Sequence, residues 1–283
     1  MGNIKTFFLM SGLMIMFMYV GSLIAGFEGV KIAFYISLGL NFFSYFFSDK
    51  LVLSQYNANQ VNMNMAPMLY TIVERLSKST NLPMPKVYIV PDNVPNAFAT
   101  GRNPSNAAVA VTQGLLDILD ENEVEAVIAH ELSHIKHYDI LTGSIAAVFA
   151  SAIAVISNMA RYNSASRNNK SNNRSNGLLA IFAIILLPIA ATIIRFSVSR
   201  TREYAADKGA AYTTKKPQYL ASALSKLEDY SKHGMLRKAS SETAHMFIVN
   251  PFNGKKADFS SLFSTHPTTQ ERIARLNELT KEF

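Results

Sequence analysis

Four long segments without a charged residue restrict the fold of this chain more than any other feature. They cover residues 6–27, 32–48, 140–160 and 175–194, and contain 22, 17, 21 and 20 residues. A helix that crosses a bilayer needs about 20 mainly apolar residues. Charged residues make up only 17% of the chain, against about 25% in soluble domains. The sequence therefore predicts a membrane protein with four hydrophobic membrane segments in two hairpins.

The first segment has two readings, an uncleaved membrane helix or a secretory signal peptide. Signal peptides have an apolar core of about 7–15 residues followed by a small-x-small cleavage site. The 22-residue segment is longer than such a core, and the sequence around Leu23-Ile24-Ala25 fits a cleavage site poorly. An uncleaved helix is favoured. The short link of residues 28–31 predicts a hairpin with the second segment.

The polar parts of the chain mix helical and strand patterns. Apolar residues recur at helical spacing within 68–77 and 217–230, and residues 199–211 also favour a helix, whereas short apolar runs at 87–90 and 107–111 favour strands. The prediction is an α+β, predominantly helical fold. Four parts follow from these patterns: 1–48, the first hairpin; 49–139, a first polar part; 140–194, a second hairpin with an Asn/Ser-rich loop at 161–177; and 195–283, a second polar part.

A candidate metal site lies at the end of the first polar part. The run His130-Glu131-Leu132-Ser133-His134 follows an acidic helix start at residues 120–123. Residues four apart share one helix face, so both rings can bind one ion, while Glu131 can reach a water beside it as a general base. The chain has no Cys, so all ligands must be His or carboxylate. Two satisfied histidines on a core helix are the structural alternative.

The predicted third ligand is Glu203, because a catalytic zinc usually has three protein ligands and an open position. Asp207 lies four residues further along the same predicted helix. It would accept a hydrogen bond from a ligand His ring and fix that ring's orientation. The alternative is that the two acidic residues are exposed on the surface and bind no metal.

These motifs together resemble the HtpX family of bacterial membrane zinc metalloproteases and, more distantly, the CAAX prenyl proteases. The match extends over nearly the whole chain and includes Asn96-Ala97-Phe98-Ala99-Thr100-Gly101, Ser264-Thr265-His266-Pro267 and Arg272-Ile273. The resemblance implies a gluzincin-type zinc metalloprotease domain with one Zn²⁺ per chain. It also implies that Asn96 and the edge strand beyond it hold the substrate backbone, and that His266 approaches the active site, where it would stabilise an oxyanion. The alternatives are a turn residue after Pro95 for Asn96 and a helix-entry residue before Pro267 for His266.

The resemblance further implies an endopeptidase of protein quality control. Its substrates would be misfolded membrane proteins or unfolded polypeptides in the bacterial cytoplasmic (inner) membrane. A maturation protease for a lipidated or signal-derived peptide is one alternative. A non-catalytic membrane protein with a structural metal is another, although structural zinc usually has four ligands and only three are found here.

The predicted position of the site is the membrane surface, with the protease domain in the cytoplasm. His134 and Glu203 lie close to the third and fourth segments, roughly 8–14 Å along a helix. Basic residues at Lys5, Arg200 and Arg202 agree with the positive-inside rule, whereas the basic loop at 161–177 opposes it. Either the second hairpin does not fully cross, or the outer pair of segments dominates insertion. The net charge of +7 is dispersed, so no nucleic-acid partner is predicted.

Overall fold

The computed structural model describes residues 2–149, 199–232, 247–249 and 267–283. These residues form a mainly helical fold with one small mixed sheet, which confirms the predicted class. The elements in chain order are α1 (Gly2–Gln55), β1 (Asn59–Val61), α2 (Pro67–Thr80), β2 (Lys86–Val90), β3 (Ala97–Gly101), β4 (Ala107–Thr112), α3 (Gln113–Ile118), α4 (Glu121–Lys136), α5 (Ile140–Phe149), α6 (Arg200–Thr214), α7 (Pro217–Lys232) and α8 (Thr269–Leu279).

Helix α1 folds back on itself as a hairpin. The turn is at Ala25 and Gly26, where Gly26 has a φ of +57°, a conformation that glycine adopts without a steric penalty. A Cβ on Gly21 would overlap the Gly29 carbonyl oxygen, so glycines at both positions let the two arms cross closely. The hairpin prediction is confirmed, but the predicted link at residues 28–31 is wrong. Those residues lie inside the second arm, because hydropathy does not detect the glycines that make the turn.

Both arms of α1 are long and apolar enough to cross a membrane. The candidate spans are Thr6–Leu23 and Ala25–Gln55. Large apolar side chains along them are exposed, among them Phe7 at 66% and Tyr35 at 71%, as expected for a surface that faces lipid. Only 140–149 of the third predicted segment belongs to the described residues, and the fourth lies outside them. Two candidate spans are therefore found in the described part of the chain, and the prediction of four is not confirmed.

Helix α5 packs beside the first arm of α1. The hydroxyls of Thr6 and Thr142 are 2.8 Å apart in a buried position, and Leu13 joins a buried apolar cluster with Leu141, Ile145 and Phe149. A hydroxyl pair of this kind satisfies two polar groups that could not reach water there. The beginning of the third hydrophobic segment thus lies against the first hairpin.

The sheet has the strand order β1-β2-β4-β3. Strands β2 and β4 are parallel, while β1 and β3 pair antiparallel with their neighbours. Periodicity predicted β2 and β4, and the predicted helices within α2, α6 and α7 are also confirmed. Residues of β4 are buried throughout, as in a central strand covered on both faces. Strand β3 is left at an edge, next to α4.

Helix α4 lies between the sheet and the C-terminal helices. It begins with a capping box in which Asp120 and Glu123 each bond the other's backbone N–H, as the acidic helix start suggested. The same Glu123 carboxylate accepts 2.7 Å bonds from Ser222 and Lys226 of α7. These contacts fix the N-terminal end of α4 and hence the direction of the face that carries the histidines.

Candidate metal centre

The two histidines of α4 point ring nitrogens at one place. The Nε2 atoms of His130 and His134 are 3.2 Å apart. Two ligands of a tetrahedral zinc, with bonds of about 2.0–2.1 Å, lie about 3.3–3.4 Å apart. The spacing of the two nitrogens therefore fits a shared ion, and the geometry predicted from their four-residue separation is present.

Helix α6 brings Glu203 to the same place. Its carboxylate oxygens are 3.8 Å from His130 Nε2 and 3.6 Å from His134 Nε2, and the three ligand atoms all lie within 4.8 Å of one another. Close packing of α4 on α6 allows this, since a Cβ on Gly209 would overlap the Ser133 hydroxyl. Two imidazoles and one carboxylate in this arrangement suit a divalent zinc ion.

Each histidine has a carboxylate behind its other ring nitrogen. His130 Nδ1 lies 3.0 Å from Asp207 Oδ1, and His134 Nδ1 lies 3.4 Å from Asp139 Oδ2. Such partners set which nitrogen faces the metal. Asp207, which the sequence predicted as such a partner, lies beside the His130 ring. Sequence reasoning missed Asp139, whose only signal was its position one turn beyond His134; Arg202 of α6 holds it at 2.8 Å.

A buried arginine of α8 ties the cluster together. Arg272 is 1% exposed and bonds both Asp207 oxygens, from Nε at 2.8 Å and from Nη2 at 2.7 Å. Although burial acts to raise it, this guanidinium lowers the pKa of Asp207 to about 2, so Asp207 remains an ionised acceptor for His130. Sequence reasoning noted Arg272 only as part of the family resemblance, because Asp207 is 65 residues away in the chain.

Glu131 lies between the histidines and the edge strand. Its carboxylate accepts a 2.9 Å hydrogen bond from the backbone N–H of Ala99 in β3. Burial raises the pKa of Glu131, against the opposing effect of His130 and His134. A carboxylate with a raised pKa takes up and releases a proton more readily near neutral pH than an exposed one.

The cluster attracts positive charge. Burial lowers the pKa of His134, but Asp139, Glu203 and Glu131 outweigh burial and raise it to about 9. Two buried histidine nitrogens at 3.2 Å, surrounded by carboxylates, form a site where a divalent cation would neutralise the acids. The residues present therefore fit a zinc ion.

The remaining predicted residues have different positions. Asn96, directly before β3, is 1% exposed, and its Oδ1 accepts a 3.3 Å bond from the backbone N–H of Ile248. His266 lies outside the described residues. His137 Nδ1 donates to the Ser133 carbonyl at 2.8 Å, at the end of α4.

Comparison with known sequences identifies many relatives. The profile of Peptidase family M48 matches residues 64–280. The chain is 59% identical to a protease HtpX homolog of Campylobacter hominis over 279 residues, which is 99% of both chains. It is 49% identical to the homolog of a Sulfurovum species, across 99% of this chain and all of the other. The homolog of Pyrococcus furiosus is 50% identical over 99% of this chain and 96% of its own length.

A solved structure supports the same fold. The crystal structure of Ste24p from S. mikatae matches with a TM-score of 0.52 at 15% identity. The match covers 98% of this chain and 65% of Ste24p, so the chain spans about two thirds of that protein. At this identity the likeness concerns the fold alone. From the family profile and the near full-length identities, the chain belongs to Peptidase family M48 and, within it, to the HtpX membrane metalloproteases.

Proposed function

We propose that this metalloprotease is a zinc endopeptidase with one ion per chain, held by His130, His134 and Glu203, and with Glu131 as its general base. One observation carries the proposal. Glu131 follows His130 directly on α4, its carboxylate interacts electrostatically with His130, His134 and Glu203, and it accepts a hydrogen bond from Ala99 N–H of the edge strand. The proposed base, the candidate metal site and the proposed peptide-binding edge are therefore next to one another, at one turn of α4. We also propose that parts 49–139 and 195–283 form one protease domain.

Each group of the proposed site would have its own role in peptide hydrolysis. A bound zinc ion would supply a Lewis acid that polarises a peptide carbonyl and activates water. Glu131 would take the proton of that water and later pass it to the leaving amine. Asp207 and Asp139 would hold the two rings in the orientation that zinc needs. The buried position of these groups strengthens their mutual interactions compared with water.

We propose unfolded polypeptides, including misfolded or damaged membrane proteins, as the substrates. A substrate that pairs with β3, the outermost strand of the described sheet, must be extended, because strand addition uses its backbone N–H and C=O groups. Folded domains do not offer such segments. Helix α5 begins six residues after His134 and packs against the α1 hairpin, which supports a site close to the candidate membrane spans. Protein quality control is the role that these features and the HtpX relatives support.

Glu203→Gln tests the metal site. We expect it to bind zinc at least about 100-fold more weakly than wild type, since loss of a partner behind a ligand alone typically costs 10–100-fold. When zinc is limiting, hydrolysis of unfolded casein should fall together with the zinc affinity. The measurement is zinc content of the detergent-purified full chain, titrated after chelation, in parallel with casein hydrolysis. Glu278→Gln on the exposed side of α8 is the matched control and should behave as wild type. Unchanged zinc affinity in Glu203→Gln would remove Glu203 from the ligand set.

We further propose that the chain is a multi-pass protein of the bacterial cytoplasmic membrane, with its protease domain facing the cytoplasm. The chain has no Cys, so single cysteines report topology without background. Glu28→Cys lies beside the α1 turn, and Lys78→Cys lies on the exposed side of α2. In intact cells a membrane-impermeant maleimide should label Glu28→Cys, whereas Lys78→Cys should react only after permeabilisation. The reverse pattern would show the opposite orientation.

A further inference from the structure

Residues 247–249 form a short buried segment beside the metal centre. Phe247, Ile248 and Val249 are 7%, 4% and 7% exposed. Ile248 and Val249 belong to the main core cluster, while Phe247 packs against Val94 and Tyr230. These residues are not part of a described helix or strand, so their backbone polar groups need partners elsewhere.

Two buried side chains hold both backbone groups of Ile248. Asn96 Oδ1 accepts its N–H at 3.3 Å, and Arg272 Nη1 donates to its C=O at 2.7 Å. Both side chains are 1% exposed. An amide and a guanidinium placed in this way recognise the backbone N–H and C=O of one residue and not a particular side chain. They would therefore bind the backbone of another polypeptide equally well.

This backbone clamp is next to the proposed catalytic groups. Arg272 Nη1, the nitrogen that binds Ile248, is also 3.7 Å from Glu203 Oε2. Asn96 immediately precedes β3, the strand that contacts Glu131 through Ala99. A residue whose backbone is held by Asn96 and Arg272 therefore lies beside the candidate metal ligand Glu203 and next to the start of the edge strand.

We infer that Ile248 occupies a substrate subsite, and that residues 247–249 hold the protease in a self-blocked state. The inference rests on the proposed function. The subsite binds one apolar residue: Asn96 and Arg272 take its backbone, and the core cluster takes its side chain. A substrate binds only when the chain's own segment leaves, so the apparent affinity is lowered by the small fraction of open molecules. The contact restrains the proposed protease activity until the segment leaves.

Peptide binding tests this inference without catalysis. The host is the full chain with Glu131→Gln, loaded with zinc in detergent, and the probe is a fluorescent peptide with the sequence of residues 244–251. Ile248→Ala in this host weakens the blocking segment and should tighten peptide binding, measured by anisotropy, about tenfold or more. A probe carrying Asp at the position of Ile248 should bind at least about tenfold more weakly, because burial of a carboxylate in an apolar subsite is costly.

Ile72→Ala is the matched control. Ile72 is 1% exposed and belongs to the same core cluster, but lies on α2. It should leave peptide affinity unchanged, so a gain in Ile248→Ala cannot come from general loosening. Ile248→Val replaces the alanine variant if that one does not unfold cooperatively, with a smaller gain in the same direction. Equal affinity in the Ile248 variant and its host, or an equal gain in Ile72→Ala, would overturn the inference.

Activity separates this inference from the proposed function. With Glu131 restored, Ile248→Ala should lower KM for the peptide and leave kcat largely unchanged. If wild type hydrolyses neither casein nor the peptide, the proposed function fails, and the binding experiment still decides whether residues 247–249 block the subsite. If wild type is active but Ile248→Ala has an unchanged or higher KM, only the self-blocking inference fails.

Discussion

Glu131→Gln is expected to keep its zinc and to lose casein hydrolysis by about 10²–10⁴-fold, the usual contribution of a general acid–base group. Glutamine has the shape of glutamate and can still accept the hydrogen bond from Ala99 N–H at 2.9 Å. It cannot take up a proton at neutral pH. The loss should therefore lie in kcat, while the fold and the ligands remain. The measurement is zinc content and casein hydrolysis of both proteins, purified under chelation and then reloaded with zinc.

Glu125→Gln is the control on the same helix. Glu125 pairs with Arg75 at 3.0 Å on the far side of α4, and its substitution should change activity by less than about twofold, since such a pair contributes little. Wild-type activity in Glu131→Gln would remove Glu131 from catalysis. Loss of zinc in the same variant would instead assign Glu131 a role in holding the metal.

Arg272→Met should have the largest effect on stability. It leaves Asp207 ionised and buried without its bidentate partner, and loss of one member of a buried pair costs about 3–5 kcal/mol. For a chain of this size, about 2–4 °C per kcal/mol gives a Tm lower by about 10 °C. Zinc affinity should fall as well, because Asp207 no longer orients His130. Thermal unfolding in detergent and zinc titration measure the two effects.

Two further variants test whether the loss of stability comes from the buried charge of Arg272. Arg275→Met removes an arginine from the same helix that is 52% exposed and pairs with Glu271, and it should cost no more than about 1 kcal/mol. The double variant Asp207→Asn/Arg272→Met removes both buried charges and should be more stable than Arg272→Met alone. A single variant as stable as wild type, or a double variant with the summed loss, would show that the buried pair does not hold the centre.

Local patterns were sufficient for much of this fold and for the two histidines of the candidate metal site. The four-residue spacing of His130 and His134 needs only a helix to bring the rings together, and the acidic start of α4 is its own capping signal. Strands β2 and β4 are short apolar runs of the predicted kind. The position of the hairpin turn escaped prediction because Gly26 makes it through a positive φ and Gly21 and Gly29 allow a close helix crossing, and hydropathy detects neither. Strand β1 escaped prediction as well, because a three-residue edge strand with one buried side chain has no apolar run.

The sequence by itself determined the chemical types and the local geometry: two imidazoles and a base on one helix, a carboxylate pair on another, and apolar segments long enough for a bilayer. Each of these depends on residues within one continuous stretch of the chain. Only the tertiary structure decided that Asp139 backs His134, that Arg272 joins Asp207 to the centre, and that Ile248 sits between Asn96 and Arg272. Most of these contacts join residues 24 to 152 positions apart, and they form only because packing of buried apolar surface brings separate elements together. No periodicity along the chain encodes such pairings.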